Sequence, residues 1–454
     1  MRQDMNRLVV TNSALSYPAP PQEIMAGERE VLPLVERFEE ALFMPSEWYE
    51  GIAEQVPELN RRARACAANL AAILPPAVSA VRPRWGHSPW DVFAATFVKF
   101  SLGPLLVNQR LLERAVEAGP EEVVAWDEPG RGSWWAGQQS VHEFAAAIAS
   151  ATGARLRLRH GPLRRAARRL AAPLLPATQV LGYFVERMLT LPARPVAPCD
   201  VIFAVVGPTL APLFERIGTA LVDDHGLRVL GVEVPLNPGE TGLLRGDLPH
   251  TNIYAHTRGR VVARGMTQLL AAPWWQHYFA SRLSRWPELA ELSPRSKALL
   301  ARRMHGTLTE GIPVAIYHSR LWQDLLDATR PAAVVSFNSY SQAVGPGVLQ
   351  ANHRGLATIC CQHGIWGPYL RAATLLPYDD VCVFGEYARE MLSEIATGDT
   401  TFHITGHALY DYRAGQEQPR AASDAQPMVL VTTQPIGGQL RQGERGWWVE
   451  ALAE

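Results

Sequence analysis

From Cys199 onward, short apolar runs alternate with longer amphipathic stretches, and this alternation constrains the fold more than any other feature of the chain. Residues 200–206 (DVIFAVV) have the length and composition of a strand. Gly207-Pro208-Thr209 reads as a turn, 210–225 as a helix closed by Gly226, and 228–234 (RVLGVEV) as the next strand. A crossover of that length joins parallel strands. The pattern resumes with a strand at 332–337 (AAVVSF), a helix at 340–354 and a strand at 357–361 (ATICC). A strand at 380–384, a helix at 386–396 and a strand at 401–405 complete it. The expectation is an α/β fold with a Rossmann-like parallel sheet.

Upstream, residues 1–118 read as helical. The stretch 28–42 sets Val31, Leu34, Val35, Phe38 and Leu42 at helical spacing; 60–74 forms a second helix stopped by Pro75-Pro76, and 90–106 a more apolar, buried one. A strand at 122–126, a glycine-rich turn at 127–132, a helix at 141–152 and a strand at 155–159 predict a small α/β unit. Gly130, Gly132 and Gly137 do not make a GxGxxG pattern, which leaves a dinucleotide site weakly supported. The segment 258–329 reads as a helical insert, with Trp274, Trp275 and Trp286 as packing residues. A Gln-, Ala- and Asp-rich linker at 413–426 precedes 427–433 (PMVLVTT), which opens a new strand. The expected partition is a helical region 1–118, an α/β unit with an Arg-rich segment 119–198, and a Rossmann-like lobe 199–412. The linker and residues 427–454 follow, the latter read as the start of a truncated second lobe.

A chain of 454 residues exceeds what one core usually serves, in keeping with several domains. A formal charge of −1 gives no global attraction to nucleic acid. Any electrostatic partner must therefore be local, and an arginine cluster is found at Arg157, Arg159, Arg164, Arg165, Arg168 and Arg169. Its plainer reading is a solvated helix face; the sharper one is docking of Arg164, Arg165, Arg168 and Arg169 onto an acidic membrane surface. The aromatic residues that would stack on bases are missing from it, so nucleic acid is not expected as a partner. The five cysteines lack CxxC or CxxH spacing, which argues against a disulfide framework and a zinc site. The N-terminus carries no signal pattern and no apolar run approaches the roughly 20 residues that span a bilayer. A cytoplasmic protein, peripheral at the membrane if the arginines dock there, is the expectation.

Ligands of open parallel sheets sit beyond the carboxyl ends of strands. Three polar loops leave such ends: Asn338-Ser339-Tyr340, Gln362-His363-Gly364 and Gly406-His407, with Asp411 just beyond. A solitary histidine is usually structural. His363, however, lies between an apolar strand and a glycine that permits a sharp turn, which holds its ring at the sheet rim. An imidazole with an ordinary pKa near 6.5 suits general-base chemistry at neutral pH. Asp223-Asp224-His225 is read as a helix-end cap before Gly226 rather than a metal site, and Asp379-Asp380 as turn chemistry. His142 and Glu143 lack an HExxH partner, and neither GxSxG nor GxxxxGK[ST] occurs.

The run from Gln362-His363-Gly364, through Tyr378-Asp379-Asp380-Val381 and Val383-Phe384-Gly385-Glu386, to Ile404-Thr405-Gly406-His407 and Asp411 resembles the end of the N-terminal lobe of GT-B-type glycosyltransferases. Those of bacterial capsule and surface-polysaccharide assembly, and the CDP-glycerol glycerophosphotransferases, are the most similar. The resemblance covers residues 330–435 and includes Thr432-Thr433-Gln434-Pro435, similar to the first strand and loop of the second lobe. It implies transfer of a sugar from a nucleotide-activated donor to a glycan or lipid-linked acceptor, with no bound cofactor and no metal. It implies His363 as the acceptor-side base. Gln362 and Gly364 would shape its loop; with Asn338, Ser339, Gly385, Glu386, Gly406 and His407 they would line the substrate cleft, and Thr433 and Gln434 would meet the donor phosphates. A polyol-phosphate transferase on the same fold, a nucleotide-sugar epimerase and a non-catalytic membrane-associated scaffold remain open beside it.

Overall fold

The computed structural model describes residues 7–11, 29–35, 47–73, 85–126, 141–158, 196–234, 242, 244–256, 297, 300, 304, 312–337, 341, 343–364, 377–396 and 398–407. They form an α/β protein with two parallel sheets. In the first, strand β1 (Arg7–Thr11) is followed by β2 (Arg29–Pro33), and helices α1 (Ile52–Leu70), α2 (Pro89–Phe97) and α3 (Gly103–Ala118) come next. Strand β3 (Glu122–Trp126), helix α4 (Val141–Thr152) and strand β4 (Arg155–Leu158) complete the unit. The strand order is β2-β1-β3-β4, all parallel.

Two expectations are corrected here. Residues 1–118 are not all helical, and 29–33 within the expected helix 28–42 form a strand instead. Pro33 explains the difference. Inside a helix it would remove a hydrogen bond and clash with the preceding turn, and it steers Leu32 toward extended backbone. At the end of an outer strand its missing N–H costs little. The chain leaving β2 is then held by Asn108 of α3, whose Oδ1 accepts from Val35 N at 2.9 Å while its Nδ2 donates to Val35 O at 3.0 Å. The second correction concerns the small α/β unit. Strands β3 and β4 pair in one sheet with β1, so the described residues between 7 and 158 share one core of Leu8, Val10, Leu32, Val123 and Ala125 against α1, α3 and α4.

Helix α1 begins at Ile52, ahead of the expected Asn60, and runs through Pro57. Helix α2 starts with a reciprocal cap. Ser88 Oγ accepts from Asp91 N at 3.2 Å and the Asp91 carboxylate accepts from Ser88 N at 2.7 Å, with Pro89 in the first turn where its missing donor is not needed. A π-helical turn over 98–102 passes α2 directly into α3.

The second sheet starts with β5 (Val201–Val205), helix α5 (Ala211–His225), β6 (Val229–Glu233) and β7 (His250–Asn252). Helix α6 (Ile312–Thr329), β8 (Ala333–Ser336), helix α7 (Gly345–His353) and β9 (Ala357–Cys361) follow. Strand β10 (Asp380–Val383), helix α8 (Glu386–Ser393) and β11 (Thr401–Ile404) end it. The order of this seven-stranded sheet is β11-β10-β9-β8-β5-β6-β7, and each neighbouring pair is parallel. Counted from β5 this is 3-2-1-4-5-6-7, the doubly wound arrangement compatible with a Rossmann-like fold. The order reverses between β5 and β8, and the crevice at such a reversal is where these sheets take ligands. Arg228 forks onto the Asp200 carboxylate (2.6 Å from Nη2 to Oδ1, 3.1 Å from Nε to Oδ2), tying the approaches to β5 and β6; this holds the Asp200 carboxyl down to about 2.

Helix α6 belongs to both units. Ile312 joins the first core, while Tyr317, Leu321, Trp322, Leu325 and Leu326 join the second. Toward the start of α2, Trp85 Nε1 donates to Gln323 Oε1 at 3.1 Å, and the buried His87 ring is 3.1 Å from Ser319 Oγ. Within the expected insert 258–329, residues 312–329 are helical as read, and 258–296 lie outside the described residues, the three tryptophans with them. So do the expected linker and the strand at 427–433. Among the described residues no helix is long and apolar enough to cross a membrane.

Candidate active site

Strands β8, β9, β10 and β11 are consecutive neighbours, so their C-terminal ends converge on one rim of the sheet. His363 leaves β9 at this rim and is exposed to solvent. Its ring nonetheless sits among enough protein atoms for desolvation to lower its pKa from the ordinary value. A hydrogen bond to the backbone of Phe337, just past β8, opposes that shift, and the neighbouring His407 reinforces it. The net direction is downward, so the neutral imidazole is favoured at neutral pH. A ring nitrogen that donates to a backbone carbonyl fixes the tautomer and leaves the lone pair on the other nitrogen.

Gln362 holds this loop in place. It is 5% exposed, and its side-chain amide is used at both ends inside the protein. Nε2 donates to Gly364 O at 2.8 Å, and Oε1 accepts from Phe384 N at 2.7 Å. Its backbone N donates to Cys382 O at 2.9 Å, continuing the β9–β10 ladder one step past the strand. Gln362, expected to shape the His363 loop as well as to line the cleft, is thus a brace between the ends of β9 and β10. Gly364 supplies the carbonyl that closes this brace, and a side chain added there would enter open space.

His407 follows β11, two strands away from His363 in the sheet order. It is partly buried, with its ring 4.3 Å from that of Phe384 at an interplanar angle of 41°. Gly406 makes the approach possible, since its φ of +71° is a left-handed conformation that side-chain-bearing residues seldom adopt. The structure thus brings His363, Gln362, Gly364, Gly406 and His407 to one rim and adds Phe337 and Phe384. Neither phenylalanine was among the expected site residues, although Phe384 lies in the run Val383–Glu386 quoted above; only the sheet order sets them beside the histidines.

Gly385 is the residue before α8, in extended backbone with no side-chain cap, and the Glu386 carboxylate is paired with Arg389 on its own helix. Asn338, Ser339, Tyr340, Asp411, Thr433 and Gln434 lie outside the described residues, as do Arg164, Arg165, Arg168 and Arg169. Asp379 is structural: its Oδ2 accepts from Thr358 N and Thr358 Oγ1, both at 2.9 Å. Asp223, Asp224 and His225 occupy the last turn of α5, which Gly226 closes at φ +65°. Among the described residues no group of three His, Cys, Asp or Glu side chains is placed to hold a metal ion.

Below the rim, His403 Nε2 lies 2.7 Å from Asp380 Oδ1, across β11 and β10. The hydrogen bond to Asp380 raises the His403 pKa, which gives a pH signature of known sign. The pair stabilises the fold fully below the ordinary imidazole value, and the contribution is lost as pH rises through the raised one. An NMR titration of the histidine Cε1–H signals is expected to show His403 above the ordinary value near 6.5 and Asp380→Asn to return it there.

Comparison with known proteins gives no further guide: no family model, no curated protein and no solved structure matches the chain.

Proposed function

We propose that the chain is a transferase of the GT-B kind, moving a sugar from a nucleotide-activated donor to a hydroxyl of a glycan or lipid-linked acceptor in surface-polysaccharide assembly. The observation that carries this reading is His363: a solvent-facing imidazole at the C-terminal end of a parallel strand, held in its neutral form and oriented by Phe337 backbone. In the proposed reaction the acceptor hydroxyl gives its proton to the free nitrogen of His363 as its oxygen attacks the anomeric carbon. The bond from that carbon to the donor diphosphate breaks, and the nucleoside diphosphate leaves. Transfer of this kind asks for a base on one side and anion stabilisation on the other. On the acceptor side, Gln362 keeps the histidine loop from moving with the substrate. Thr433 and Gln434 are proposed for the donor phosphates, and the arginines at 164–169 for contact with an acidic membrane surface near a lipid-linked acceptor.

The test is a panel of nucleotide-activated donors, sugar nucleotides and CDP-polyols together, offered with hydroxyl-bearing glycan and lipid-linked acceptors. Release of nucleoside diphosphate coupled to a glycosylated product is expected from a sugar nucleotide. Release of CMP with a phosphodiester product would move the assignment to polyol-phosphate transfer, and no turnover of any donor would contradict both.

A further inference from the structure

Cys361 on β9 and Cys382 on β10 are register partners in adjacent parallel strands, and Cys382 is in turn the register partner of His403 on β11. Side chains alternate between the faces of a strand, so register partners share a face. Two thiols and an imidazole therefore form one row across the sheet, next to the rim that carries His363. The neighbouring Cys360 points to the opposite face and is fully buried, whereas Cys361 and Cys382 both retain partial exposure. The two thiols face each other across the β9–β10 ladder, and neither is in a disulfide. Adjacent strands lie about 4.8 Å apart, and a disulfide asks its two Cβ atoms to come within about 3.5–4.5 Å, so closing the bond needs only a small local approach of β9 and β10.

We propose that Cys361 and Cys382 form a thiol–disulfide exchange site, with Cys382 as the attacking thiol, Cys361 as the resolving thiol and a low-molecular-weight disulfide as the oxidant. The register favours this division of roles, because Cys382 lies between Cys361 and His403 and only Cys382 has the imidazole as a direct cross-strand neighbour. The facing Cys361 and the His403 ring draw the Cys382 thiol down, against burial and Asp380, while the neighbouring thiols and burial hold Cys361 above the ordinary thiol value. A thiol titrating near neutrality is the better attacker, because the thiolate is the nucleophile.

The exchange balances in two steps. The Cys382 thiolate, its proton released to water, attacks one sulfur of the small disulfide; that S–S bond breaks and one small thiolate leaves with the electron pair. The Cys361 sulfur, its proton taken by the small thiolate released in the first step, then attacks Cys382 Sγ in the mixed disulfide and expels the second small thiolate, which takes up a proton from water. Two protein thiols are oxidised and one small disulfide is reduced to two thiols. The crosslink closes directly before Gln362, whose N already donates to Cys382 O, so oxidation would pin β9 to β10 beneath the His363 loop.

Glutathione disulfide, added to the native protein and followed by peptide mapping, tests this. A peptide joining Cys361 to Cys382, reversed by dithiothreitol, is expected. Cys361→Ser is expected to stop at a glutathione adduct on Cys382, and Cys382→Ser to leave Cys361 unreacted. Iodoacetamide at pH 7 is expected to alkylate Cys382 ahead of Cys361 in the folded protein and both at similar rates in the urea-unfolded chain. Free Cys361 and Cys382 under conditions that oxidise the unfolded chain would overturn the proposal, as would a crosslink to any other cysteine. Both outcomes are read on the unmutated protein, so they stand even where a variant does not fold.

Discussion

Replacing His363 by alanine is expected to lower the transfer rate by about 10²–10⁴-fold, the usual contribution of a positioned general base. The same change is expected to leave thermodynamic stability within about 0.5 kcal/mol of the parent, as for exposed positions away from core features. The rate effect follows from a neutral imidazole whose tautomer is set by the Phe337 backbone. The stability effect follows from the exposure of the residue and from the loop's independent brace through Gln362. Single-turnover assays with the donor that the panel identifies, together with urea denaturation, separate them. A variant that keeps parental rates would remove His363 from the chemistry. A variant that unfolds would make it a structural residue.

The largest expected stability effect lies at Trp322. Its side chain is fully buried in the second core, and Nε1 donates to Ala343 O at 2.8 Å. Gly347 of α7 leaves room for the indole, because a β-carbon there would lie 2.5 Å from it. Truncation to alanine empties this space and strands a buried carbonyl on the turn that enters α7. Large-to-small changes of this kind cost about 3–5 kcal/mol, and urea denaturation is expected to show a loss of that size. A loss below about 1 kcal/mol would mean that the site collapses or takes in water, and that α6 does not clamp α7 as the structure indicates. Because α6 also carries Ile312 into the first core, the loss is expected to be felt in both units.

Much of this architecture was legible in the residues themselves. The apolar runs around Val201, Val229, Val334, Ile359 and Val381 are strands where expected, since an unbroken run of strand length bounded by Gly or Pro has few other solutions. The failures have specific physical causes. Residues 28–42 carry a helical spacing that Pro33 overrides, and Arg7–Thr11 is a short strand whose identity depends on pairing with β2 and β3. Strand β7 is three residues, His250-Thr251-Asn252, with no alternation to read; only β6 beside it makes it a strand. At the candidate site, the strand-end rule placed His363 and His407 at the rim where they lie. It could not show that Gln362 turns inward as a brace, because that depends on Phe384 N arriving from the next strand. Nor could it pair Cys361 with Cys382, residues separated by a helix-length stretch of sequence. Register is a property of two strands, not of one.

The central claim is that proton transfer passes through the neutral ring of His363, and the pH dependence of kcat/KM for transfer tests it most directly. Burial and His407 lower the pKa of this ring, so the base is lost only when pH falls below the ordinary imidazole value near 6.5. A rising limb centred below 6.5, followed by a plateau through neutrality, is the expected profile; it is also expected to coincide with the NMR titration of the His363 ring. A limb centred above 6.5, or one that persists unchanged in His363→Ala, would contradict the account.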